Sequence, residues 1–243
     1  MKRTTFLIAA GMLSLPAAIH AGTLRVNIGH PLAAGSCFTP DSVSGPIGPV
    51  HDTQTCSEPG LGIQGLALGA ADYGLLQASL ELKSFVDPLI SIENTGVTEV
   101  SFEGTYVFTG PGAFATTRLN LDISGVLEAA GVRSASATMS LIVDLAGTRR
   151  KVIVANDIEN GVRVLGNDLS VGAPWPSLGA SGGGSSSFET EDYTVPLNTP
   201  VTLLVDLAAG GGILSGGKIS SNFGSTLTFA RKGTSSVFPP ISR

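Results

Sequence analysis

Apolar and polar residues alternate one by one through most of this chain. Val201, Leu203, Val205 and Leu207 interleave with Thr202, Leu204 and Asp206. Ile219, Phe223, Leu227 and Phe229 share a parity further on. A period of two places successive side chains on opposite faces of an extended strand. The pattern recurs backwards along the chain, at Leu24 to Ile28, Val100 to Phe108 with Gly104 interrupting, Leu119 to Ile123, and Ala135 to Leu145. Leu76, Ala78, Leu80 and Leu82 alternate with Gln77, Ser79, Glu81 and Lys83. Several of these residues favour helices, but the strict alternation reads as a strand. About eight to ten short strands punctuated by Gly and Pro predict an all-β chain: an antiparallel β-sandwich, with a jelly roll as one form of it, over a barrel. The pair of strands in 195–229 is expected to end the fold.

Between the strands the sequence turns to loop chemistry. Pro31 to Gly62 is dense in Pro, Gly, Ser, Thr and Asp and reads as a long loop. Ser124 to Arg133 reads as a helical turn capped by Ser124 or as a loop. Gly147-Thr148 followed by Arg149-Arg150-Lys151 reads as a hairpin turn, and Val162 with Val164 as another short strand. The three basic residues read as solvated protection of a strand edge. Ala173 to Ser187 is a Gly/Ser-rich tract and reads as a flexible loop.

The N-terminus has the form of a secretory leader. Lys2 and Arg3 precede an apolar run from Phe6 to Leu15, and Ile19-His20-Ala21 is a cleavage site. The run is too short to span a membrane, which takes about 20 apolar residues. The expected organisation is a leader over 1–21 and one β-sandwich domain over 22–243, with 31–62 as its loop-rich segment. Secretion or a periplasmic location follows. The formal charge is −5, and loss of the leader makes it more negative. Such a chain is a poor partner for nucleic acid, whose phosphates need a basic surface. Charged residues are 14% of the chain, against about 25% in ordinary soluble domains. Glycine, at 32 residues, is roughly twice its usual share.

Cys37 and Cys56 are the two cysteines. Export predicts a disulfide between them, closing a loop of about 20 residues for roughly 3 kcal/mol in the chain-entropy picture. A zinc site with His30 or His51 is the alternative, but the spacing lacks the close cysteine pair typical of such sites. Gly179-Ala180-Ser181-Gly182-Gly183 matches the nucleophile elbow by letter, yet it sits in a Gly/Ser tract with no histidine after it. Asp52 adjoins His51, which by itself is not catalytic geometry. The acids Asp157 and Glu159, and Glu189, Glu191 and Asp192, lie in oxygen-rich turns that suit either solvent or calcium, and no further cofactor is expected. No pair of carboxylates stands out for glycoside hydrolysis. Trp175, the single tryptophan, lies between Pro174 and Pro176 and is the one candidate ligand contact, by stacking on a sugar ring or by capping the sandwich end.

Three pieces carry a resemblance. They are Ala71-Asp72-Tyr73-Gly74-Leu75-Leu76-Gln77-Ala78-Ser79, then Val195-Pro196-Leu197-Asn198-Thr199-Pro200, then Ser221 to Phe229 with Ser236-Val237-Phe238-Pro239 after it. In this order they resemble uncharacterised exported β-rich proteins of Gram-negative bacteria, many of which carry a PEP-CTERM sorting tail. The resemblance spans roughly Ala70 to the C-terminus and supplies no catalytic residue. It implies an exported protein of exopolysaccharide-producing bacteria. This chain lacks the Pro-Glu-Pro, apolar anchor and basic tail, so a released or periplasmic form is expected. The expected function is a non-catalytic structural protein of the cell envelope or extracellular matrix, with a polysaccharide or envelope component as its partner. The alternative is a carbohydrate-binding module.

Overall fold

The computed structural model describes residues 14–18, 22–29, 38–46, 49–72, 74–85, 94–131, 134–158, 161–169, 183–214, 216–231 and 234–236. Two antiparallel sheets face each other, as expected for a β-sandwich. With strands numbered in chain order, the first sheet runs β11 (Gly161–Asn167), β10 (Thr148–Asp157), β9 (Ala135–Leu145), β14 (Pro200–Ile213), β7 (Asn94–Thr109), β2 (Thr23–Ile28) and β3 (Asp41–Gly45). The second runs β12 (Gly183–Glu189), β8 (Phe114–Gly131), β15 (Gly217–Arg231), β6 (Leu75–Ser84), β5 (Ile63–Asp72) and β4 (Val50–Glu58). Short strands add to the sides: β1 (Ser14–Ala18) on β7, β13 (Tyr193–Pro196) on β8 and β16 (Thr234–Ser236) on β15. β1 falls within the stretch read as leader and lies in line with β2 along β7.

The stretch predicted to end the fold sits at its centre. β14 pairs with β9 on one side and β7 on the other. β15 pairs with β8 and β6 in the opposite sheet. Ribbons crossing between sheets at β6–β7, β7–β8, β8–β9 and β14–β15 lock the layers together, as jelly-roll ribbons do. The parity is as read: Leu203, Val205 and Leu207 are fully buried, while Thr202 on the other face is exposed. Ala135 to Leu145 buries every second residue in the same way. The segment Val195 to Pro200 is the corner that carries the chain between sheets. Asn198 adopts a positive φ there, and its side-chain amide donates to the Gly110 carbonyl at 3.0 Å. Asparagine tolerates that conformation better than most residues.

Four expectations need correction. The stretch 31–62 is not one long loop: its described residues hold β3, β4 and a 3-10 turn at Pro59–Leu61, while 31–37 and 47–48 lie outside the described residues. β4 reads as loop because it is the outermost strand of its sheet, and polar residues satisfy its exposed face. β5 gave no periodic pattern because its core-facing positions include Gly65, Ala67, Gly69 and Ala71. A Cβ on Gly69 would lie 2.3 Å from Val26 Cγ1 of the opposite sheet, so the small residue is set by the approach of the two layers. Ser124 to Gly131 is neither helix nor loop. It continues β8, because β15 pairs with β8 without a break from Arg118 to Gly131. The Gly/Ser tract becomes strand from Gly183, where β12 pairs with β8, and 173–182 lies outside the described residues. Glycines within strands had made the strands look short and few. The described residues form sixteen strands, and β8 alone runs 18 residues.

Leu203→Asp should abolish the cooperative thermal transition, since an unpaired buried carboxylate costs several kcal/mol against a total stability of about 5–15 kcal/mol. Thr202→Asp, one step along the strand on the exposed face, should shift the melting temperature only slightly. Equal damage at both positions would overturn the assignment of faces.

Candidate functional site

The densest polar cluster among the described residues closes one side of the sandwich. The β9–β10 hairpin turns at Ala146 and Gly147, both with positive φ, which is the two-residue turn whose twist suits antiparallel strands. Beyond the turn, Arg149 and Lys151 share a face opposite Asp144 and Ile142. Arg150 has the opposite parity. It pairs with buried Val143 and so enters the space between the sheets.

There its guanidinium is fully engaged on one side. Nη1 donates to a Glu191 carboxylate oxygen and, at 3.4 Å, to the Asp168 carbonyl. Nη2 donates to the Asp192 carbonyl at 3.0 Å. The guanidinium carbon lies 5.1 Å from the centroid of the Tyr193 ring, a cation–π distance. Nε is buried without a partner. Tyr193 is completely buried and its hydroxyl is likewise unpaired. Burial holds the phenol well above its ordinary pKa despite the opposing charge of Arg150, so it stays neutral.

Neighbouring contacts extend the clasp. Arg118 pairs with Asp192, and the Lys151 amide donates to the Asp168 carboxylate. Thr190 exchanges two hydrogen bonds with the Leu119 backbone, each 2.9 Å. The Glu191 amide donates to the Leu169 carbonyl at 3.0 Å. The segment after β11 in one sheet is thereby tied to the segment before β13 in the other. Among the described residues the cluster holds no serine, cysteine or histidine, and its two arginines, Arg150 and Arg118, are engaged with protein oxygens. These contacts tie the two layers together.

The residues singled out by sequence fall in different places. Arg149 and Lys151 are exposed and Arg150 is not, but the exposed pair do not protect a sheet edge, because β11 and the Asp168 segment cover the far side of β10. The parity of Arg150 with Val152 and Val154 is the signal that places it inside. Glu191 and Asp192 pair with Arg150 and Arg118 while staying about half exposed to solvent, and Asp157 meets Arg163 at 2.8 Å. No group of three metal-ligating side chains occurs among the described residues. His51 is exposed on β4, and Asp52 accepts the Thr53 amide at 2.8 Å rather than orienting the imidazole. Cys56 is buried on β4. Its expected partner Cys37, along with His30, Glu159, Trp175 and Ser181, lies outside the described residues.

A second titratable group, missed by sequence reasoning, lies on the outer face of the first sheet. Burial and the nearby Glu99 raise the Asp206 pKa to about 6, against the pull of Arg149, and Oδ1 is buried unpaired. No protein-family model matches the chain, and no curated protein matches it in sequence.

Three outcomes follow. Arg150→Ala should cost about 2 kcal/mol by unfolding titration, through lost hydrogen bonds and lost packing on Tyr193. Tyr193→Phe, which removes a buried unpaired hydroxyl, should be neutral or stabilising. For Asp206, the folded form holds a proton that the unfolded form, at 3.8, releases earlier. Stability is therefore greatest below about pH 4 for this group and falls as pH rises through about 6, by up to about 3 kcal/mol. Asp206→Asn should remove that slope and melt higher than the parent at pH 7. Melts across pH 4–8 that show the same slope in both proteins would refute this assignment.

Proposed function

We propose that the chain is an exported, non-catalytic β-sandwich protein with a structural role in the cell envelope or extracellular matrix. The observation that carries this is the placement of the exposed aromatics among the described residues. Phe85 and Phe114 are 68% and 67% exposed, whereas Phe38, Phe102, Tyr106, Phe108, Tyr193 and Phe223 are buried. Phe85 follows β6 at the end where Ser84 and Asn94 flank the β14–β15 corner. Phe114 lies at the other end, beside Pro196. The 16 residues of β7 separate those ends, roughly 50 Å at about 3.3 Å per residue. A sugar-stacking platform needs neighbouring rings, and these two share no surface. The internal use of Arg150, Glu191 and Asp192 adds support, because polar residues that catalysis draws on are here engaged with one another.

Export rests on the leader-like first 21 residues, and the Cys37–Cys56 disulfide is part of the same proposal. The protein recovered from an export-competent host should begin at Gly22, and unreduced peptide mapping should join Cys37 to Cys56. Recovery with residues 1–21 attached and free thiols would refute both. A glycan array with and without calcium should give no specific signal. Binding that Trp175→Ala abolishes would establish the carbohydrate-binding alternative instead.

A further inference from the structure

One aromatic ring of the core comes from outside the strands. Phe38 precedes β3, which begins at Asp41, and it is buried. Two glycines, one from each sheet, make room for its ring. A Cβ on Gly65 of β5 would lie 2.6 Å from Phe38 Cζ, and a Cβ on Gly96 of β7 would lie 3.2 Å from Phe38 Cδ2. Leu82 Cδ2 and Leu80 Cδ1 crowd the same two positions, each at 3.0 Å. The ring thus fills a slot whose two walls lack side chains, and close packing fixes its depth and direction.

The slot adjoins Cys56. Gly65 pairs directly with Cys56 on β4 and with Leu82 on β6. Direct partners point to the same face, with Cβ positions about 4.5–5.5 Å apart. Buried Cys56 therefore flanks the ring on one side as Leu82 does on the other, and the ring tip lies within about 8 Å of the Cys56 Cβ. Cys37 is the residue before Phe38, so their Cα atoms are about 3.8 Å apart. A disulfide needs Cα atoms about 4.4–6.8 Å apart. Bringing the ends of a loop of about 20 residues to that distance costs entropy, and seating the ring meets the cost before the bond forms.

We propose that Phe38 is the positioning residue for the Cys37–Cys56 disulfide. Its ring, anchored between Gly65 and Gly96, delivers Cys37 to Cys56. The inference rests on the disulfide included in the proposed function and adds the group that selects the pair. In glutathione buffer the two cysteine thiols are oxidised, losing two protons and two electrons, while glutathione disulfide is reduced to two glutathione thiols. Anchoring the ring raises the effective concentration of one thiol at the other, and that concentration sets the equilibrium.

The test is that equilibrium, measured on the protein recovered from an export-competent host by alkylating free thiols across a series of glutathione ratios and weighing the products. Phe38→Ala should shift the midpoint about tenfold or more toward the reduced form. Phe38→Leu, which keeps an apolar anchor in the slot, should restore most of the shift. Val154→Ala, a core truncation on β10, should lower the melting temperature and leave the midpoint where it is in the parent. A midpoint unmoved by Phe38→Ala in a parent that forms the bond overturns the positioning role alone, as does an equal shift from Val154→Ala. A parent whose cysteines stay reduced at every ratio refutes the disulfide itself, and the positioning role falls with it.

Discussion

The contact of β14 with β15 across the core is the one on which the other strands depend. Leu203, Val205, Leu207 and Ala209 bury their side chains from one sheet, and Ile219 and Phe223 from the other. Each of these strands is hydrogen-bonded on both sides, so β7 and β9 take their register from β14, and β6 and β8 take theirs from β15. The layers draw close where side chains shrink. A Cβ on Gly211 would lie 2.6 Å from Ile219 Cδ1, beside the corner that joins the two strands. Hydrophobic burial provides the attraction, and close packing between interiors sets how near the sheets can come.

Polar groups inside the sandwich add direction to that attraction. The Thr98 hydroxyl donates to the Ser79 carbonyl at 2.9 Å, Ser221 to Thr138 at 2.6 Å, and the Asn156 amide to Leu127 at 2.7 Å. Each bond runs from one sheet to the other. Arg150 does the same at the side of the sandwich. Buried hydrogen bonds of this kind add little net stability each, but leaving one unmade is expensive, so they disfavour any alternative stacking of the sheets. Asn94, fully buried with both amide atoms unpaired, departs from this, as do the buried Ser84 and Tyr193 hydroxyls. The bonded groups direct part of the molecule's polar chemistry inward, across the space between the sheets.

Legibility in the sequence tracked the size of the side chains. β9 and the apolar half of β14 could be read because large residues alternate with small polar ones. β5 and the far half of β8 could not, since Gly65, Gly69 and Gly125 occupy inward positions where the facing layer or neighbouring strand leaves no room for a Cβ. β4 was hidden by its polarity, which an edge strand tolerates on its solvent side. At the candidate site the sequence supplied the basic triplet and the acidic pair, but nothing local showed that they meet. Arg150 and Glu191 are 41 residues apart, and a stretch rich in glycine and serine lies between them in the sequence.

The chain by itself determined an all-β, antiparallel, two-layer protein, because a period of two buries one face of a strand and only a second layer can cover it. It also determined which face of β14 is the core. The tertiary structure alone decided the order of strands, the central place of the C-terminal pair, and the pairing of Arg150 with Glu191 over Tyr193. Alternation fixes the face on which a residue lies, but it says nothing about which strand comes to lie beside it. That choice is made by long-range packing between layers, where a missing methyl group at Gly69 matters as much as a leucine.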